Sequence, residues 1–81
     1  MVKLIQVNPL PDYQLELHFD DGVSGAVWVE LPEHIFQLIK DPEVFKKVTV
    51  GDHGSCIRWS DDIEIDALAQ YMKITWKQLF S

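Results

Sequence analysis

Three histidines, one cysteine and one acidic run are the residues of this chain that could do chemistry. A thiolate beside an imidazole is a nucleophile, and Cys56 follows His53 by three positions. No third group orients that ring. The cysteine also follows a turn into a strand pattern, where a free thiol packs as a small hydrophobe. The spacings of His18, His34 and His53 fit no metal motif, since zinc sites draw on local ligand pairs. Asp61, Asp62, Glu64 and Asp66 could offer oxygens to a hard cation. A calcium loop needs a glycine at its turn, and none stands there. Two carboxylates working as a glycosidase pair would need a cleft between them. These acids read instead as turn residues, a helix cap at Asp66 and a solvated face. Arg58 is the only arginine; it is placed to pair with an acid, to stack on Trp59 or Trp28, or to face solvent. There is no glycine-rich phosphate loop. The expectation is no catalytic residue, no cofactor, no metal and no enzyme.

The chain that must position these residues is 81 residues long, enough for one domain over 1–81. Apolar residues are 47% and charged residues 25% of it, a globular mix that excludes a disordered segment. Net charge is −6, the wrong sign for direct nucleic-acid contact. One cysteine excludes an intrachain disulfide. The longest apolar run, Ala26 to Val29, is far too short for a membrane helix. Lys3 leads into a strand pattern rather than a signal sequence, so the expected location is cytoplasmic.

Tyr13, Leu15, Leu17 and Phe19 alternate with Gln14, Glu16 and His18, the period of a half-buried strand. Val2 to Val7 forms an earlier strand, which Asn8-Pro9-Leu10-Pro11-Asp12 should end. Asp20-Asp21-Gly22 is a turn. It leads to a third strand with Val23, Gly25, Val27 and Val29 on one face and Trp28 on the other. Leu31-Pro32-Glu33 opens a helical stretch carrying Ile35, Phe36, Leu38 and Ile39. Asp41 caps a second turn with Pro42 at its first position. Val48 to Val50 and Ser55 to Trp59 read as strands around a Gly51-Asp52-His53-Gly54 loop, and Ile63 to Ile65 as a short third one. Asp66 caps a helix over Ala67 to Met72. Thr75-x-x-Gln78 has the spacing of a capping box, which predicts a separate last helix from Trp76 to Phe80. The fold class is α+β: an antiparallel meander of three strands, a helical segment, further short strands and short C-terminal helices.

The run Val7-Asn8-Pro9-Leu10-Pro11-Asp12-Tyr13-Gln14-Leu15-Glu16-Leu17-His18-Phe19-Asp20-Asp21-Gly22 resembles the opening of the domain of unknown function 2442 family. Leu38 to Phe45, with its Asp-Pro-x-x-Phe, and Ile57 to Ile65, with its tryptophan hairpin, are similar to later segments of that family. The resemblance implies a small antiparallel α+β domain, and it carries no catalytic residue over. Relatives often have Pro-Asp-Gly after that tryptophan, where this chain has Ser60-Asp61-Asp62. Some relatives join the domain to a DNA-binding helix-turn-helix. The family is also associated with two-gene modules of the toxin–antitoxin kind.

Apolar residues on both faces of the first strand and on the outer face of the third call for cover, by the chain's own helices or by a partner. Val2, Leu4, Trp28, Trp76 and Phe80 are the candidate interface. The function expected is a small protein-interaction domain that binds another protein or a second copy of itself. Its sharper form is the acidic, antitoxin-like member of a two-gene module. The alternatives are an accessory subunit of a transcriptional regulator that does not touch DNA, and an enzyme with an unrecognised site.

Overall fold

The computed structural model describes residues 1–80. Its first strand, β1 (Leu4–Leu10), pairs antiparallel with β2 (Gln14–Phe19), and β2 with β3 (Ser24–Trp28). After two short helices, α1 (Glu33–Ile39) and α2 (Pro42–Phe45), come β4 (Thr49–Gly51), β5 (Cys56–Ser60) and β6 (Ile63–Asp66). These strands make a second three-stranded antiparallel sheet in the order β4-β5-β6. The chain closes with α3 (Ala67–Phe80). The expected α+β class is therefore correct, with the later strands forming a sheet of their own. One core joins both sheets: Leu15, Leu17, Phe19 and Val27 from the first, Ile57 and Ile63 from the second, sealed by Ile39, Phe45 and Ile74.

The period-two reading of β2 holds, with Leu15, Leu17 and Phe19 buried and the residues between them half-buried. β1 departs from expectation at both ends. Its register skips one residue between Leu4 and Gln6, a bulge at Ile5. An extra residue resets the alternation, so Leu4 and Val7 both turn toward the core while Ile5 is pushed outward. The strand also runs on through Pro9, which pairs with Leu15. Proline is tolerated because β1 is the outer strand of its sheet. The corner into β2 is closed by Asp12 and Tyr13, both at positive φ. Tyr13 is held there by its hydroxyl, which donates to the Lys40 carbonyl at 2.7 Å. Its ring meets Phe36 and Phe45 edge-on.

Both predicted caps form: Asp41 accepts from the Glu43 N–H at 2.8 Å and Asp66 from the Ala69 N–H at 2.9 Å. The predicted break at Thr75 does not. One continuous helix passes through it, and the Thr75 hydroxyl donates back to the Tyr71 and Met72 carbonyls. Gln78, the expected partner of the capping box, instead donates to the Ser24 carbonyl of β3 at 3.1 Å. A mid-helix threonine commonly bonds this way, one turn toward the N-terminus, so the capping-box spacing alone could not mark a helix start. Leu38, placed on the apolar stripe of α1, is exposed.

The Ser60-Asp61-Asp62 hairpin closes in two residues, with Ser60 opposite Ile63. Neither aspartate takes a positive φ. A register skip at Trp59 absorbs the resulting mismatch of twist.

Candidate interaction surface

The chemistry-bearing residues are dispersed or already paired. His34 and His53 are exposed, and among the described residues no hydrogen bond joins either to another candidate. His18 meets Glu16 at 3.0 Å on the outer face of β2, where Asn8 also donates to Glu16. The histidine first, and the asparagine second, hold the Glu16 carboxyl below its ordinary range.

Cys56 is buried and its neighbours are Asp52, Glu64 and Arg58, not His53. Arg58 donates through Nη2 to both Asp52 and Glu64 at 2.8 Å, and through Nε to Glu64 at 3.1 Å. These bonds raise the guanidinium further above its ordinary value, Glu64 contributing most. Ligand atoms of Asp52, Cys56 and Glu64 lie within 4.8 Å of one another. The guanidinium supplies the positive charge that such a cluster would otherwise draw from a cation. Burial, ahead of any charge, pushes the Cys56 thiol up, the reverse of what a nucleophile needs. Gly51 makes this packing possible: a Cβ there would lie 2.7 Å from Cys56 Sγ. Asp62 and Asp61 lie in the hairpin turn and Asp66 is spent as a cap, so the acidic run does not converge.

The five interface candidates divide. Leu4 is a correction: at 2% exposure it belongs to the core, because the bulge at Ile5 turns it inward. Val2 is half-buried and packs against that core. Trp28, Trp76 and Phe80 are exposed at 59%, 66% and 66%. They stand on one side of the molecule. Trp76 and Phe80 stack with ring centres 4.4 Å apart, and Lys77 Nζ sits 5.7 Å from the centre of the Trp28 ring. Between β3 and α3 lies a groove of about 480 Å³, with Val27, Trp28, Met72 and Trp76 as its apolar lining and Glu30 and Lys73 on its rim.

The sequence spacing already groups Leu79 with Trp76 and Phe80, but the sequence reading missed Met72; both Met72 and Leu79 are exposed beside this groove or its aromatic pair. Met72, Trp76, Leu79 and Phe80 follow helical spacing and share one face. Dividing the helix at Thr75 hid that stripe, and an uninterrupted helical period would have revealed it. Also missed was how α3 reaches β3. Gly25 lets Ile74 approach so closely that the helix lies along the strand.

No curated protein and no solved structure matches the chain. A family model described as protein of unknown function (DUF2442) matches residues 4–75. That span takes in both sheets, all three helices up to Thr75 and each of the segments that first suggested the resemblance. The chain thus belongs to the domain of unknown function 2442 family.

Proposed function

We propose that this chain is a protein-binding domain that works through the face formed by Trp28, Met72, Trp76, Leu79 and Phe80. The carrying observation is that all five are more than half exposed and gather on one side of α3 and β3. Aromatic side chains of this kind bury roughly 150–250 Å² each when covered. The three aromatics alone therefore leave roughly 300–500 Å² of apolar surface in water, as much as the largest patch on a typical monomer. Met72 and Leu79 extend it. Such a surface is stabilised when another protein covers it.

Binding rather than catalysis is supported by the other clusters. Cys56 is buried with a raised thiol, and Arg58, Asp52 and Glu64 satisfy one another. The sharper form of the proposal is an acidic, antitoxin-like member of a two-gene module, whose net charge of −6 would meet a basic partner on its charged surface outside this apolar face.

The test is a photo-crosslinking amino acid at position 79, introduced in the host cell, with the same group at exposed Asp61 as control. Adducts larger than the chain at 79 and not at 61 are expected. No adduct at 79, or equal adducts at both sites, overturns the reading.

A further inference from the structure

We infer that the occupant of this face is a second copy of the same chain, joined edge to edge through β3 about a two-fold axis at Ala26. The inference rests on the binding role proposed for the same surface and names its partner.

The first support is the direction of the backbone groups. Val29 N–H donates to the Tyr13 carbonyl and Phe19 N–H to the Val23 carbonyl. In an antiparallel ladder only alternate residues bond to a given neighbour. Val23, Gly25, Val27 and Val29 therefore face β2, and Ser24, Ala26 and Trp28 direct N–H and C=O away from it. The Gln78 side chain reaching the Ser24 carbonyl confirms that outward direction. Ala26 and Trp28 are exposed. Their edge groups face away from the sheet.

The second support is that β3 lacks the devices that protect the other outer strands. β1 carries Pro9 and lies against β4. β6 carries Glu64 and Asp66. β3 has neither proline nor charge across Ser24 to Trp28. Among the described residues its one edge contact is Gln78 at the Ser24 carbonyl, an oxygen with a second lone pair for the partner's Trp28 N–H, and the Ala26 and Trp28 edge groups stay open to strand addition.

The third is self-complementarity. Antiparallel pairing centred on Ala26 sets Ser24 opposite the partner's Trp28, and Glu30 opposite the partner's Gly22. α3 runs against the direction of β3, with Lys73 at Glu30 (3.3 Å) and Gln78 at Ser24. The alignment brings the Lys73 end of one copy to the partner's acidic turn, Asp20-Asp21. It also lays the two α3 stripes side by side, with each copy's Trp28 beside the partner's Ser24 end. A stable interface covers about 800 Å² per partner. The apolar face and the strand edge together reach that order, which neither does alone.

Sedimentation equilibrium of the purified chain should give twice the chain mass. Hydrogen exchange should show the Ala26 and Trp28 amides protected, with protection lost on dilution. Ala26→Pro removes an edge donor that the β2 ladder does not use, and should give a folded monomer by sedimentation and circular dichroism. Trp76→Ser should weaken the dimer while leaving the fold intact. A dimer whose Ala26 amide stays unprotected, or a folded Ala26→Pro that remains dimeric, overturns the edge pairing. Exchange on the unaltered chain decides the matter even if Ala26→Pro does not fold. A monomer at every concentration that still crosslinks from position 79 to another protein overturns the self-pairing and leaves the binding role standing. A monomer without crosslinks overturns both.

Discussion

Gly25 of β3 and Ile74 of α3 meet with no room for a side chain between them: a Cβ on the glycine would lie 2.8 Å from Ile74 Cγ2. This contact sets how closely the last helix approaches the sheet, and hence the floor and width of the groove between Trp28 and Trp76. Ile74 branches at Cβ, so its methyl cannot swing aside freely.

Gly25→Ala should therefore lower the unfolding free energy in urea by about 1–3 kcal/mol, the cost of overpacking. Ile74→Ala alone should cost about 2–5 kcal/mol by leaving a cavity. In the double variant the new methyl enters the space that isoleucine vacates, so the two losses should sum to more than the measured one. Strict additivity would show that the close approach is not what fixes the helix.

Thr75 gives a sharper contrast between two physical roles. As the cap of a separate helix, its replacement by alanine would cost about 0.5–2 kcal/mol. In the middle of a continuous helix its hydroxyl only bonds back to Tyr71 and Met72, and alanine is the better helix former by a few tenths of a kcal/mol. Thr75→Ala should leave thermal stability unchanged or slightly raised. A clear fall in the melting temperature would restore the two-helix reading.

These cases show what the sequence could and could not reveal. Features set by neighbouring residues were legible: the alternation of Leu15, Leu17 and Phe19, the caps at Asp41 and Asp66, and the Asp21-Gly22 turn. Features set by distant contacts were not. The bulge at Ile5 exists because β1 must pair with β2, and it alone decides that Leu4 is core and not surface. Pro9 reads as a breaker until β1 is known to be an outer strand. The packing of β1 against β4, which brings the two sheets together, is a relation no local pattern carries. Trp28, Trp76 and Phe80 were legible as surface because their faces follow from period alone. Their union with Met72 was not, since it needs both a continuous α3 and the Gly25 contact.

Tyr71 and Asp21 supply a pH dependence. The Tyr71 hydroxyl donates to Asp21 Oδ2 at 2.6 Å, which holds the carboxyl below its ordinary range and the phenol above its own. A carboxyl with a depressed folded value adds stability above its unfolded value, and that gain is lost as pH falls through the folded one. A phenol with a raised folded value adds stability below its unfolded value and loses it as pH rises through the folded one. The difference in melting temperature between the unaltered chain and Tyr71→Phe should be greatest between these limits. It should shrink in acid below the usual aspartate range and again in strong alkali. A difference constant across that range would mean that the hydroxyl contributes packing only.

Arg58 fills the position that a cation would take among Asp52, Cys56 and Glu64. Arg58→Met removes the charge and leaves two carboxylates facing each other beside a thiol. The variant should be less stable than the unaltered chain near neutral pH, because like charges then stand together without compensation. It should also bind zinc, measured by calorimetry, since the remaining donors have the identity and mutual distance of a zinc ligand set. The unaltered chain should give no heat with zinc, and Cys56 should react slowly with Ellman's reagent until the fold is opened by denaturant. Zinc binding of equal strength in both chains would show that the guanidinium does not occupy the cluster. Fast thiol modification of the native chain would show that Cys56 is not sealed beneath it.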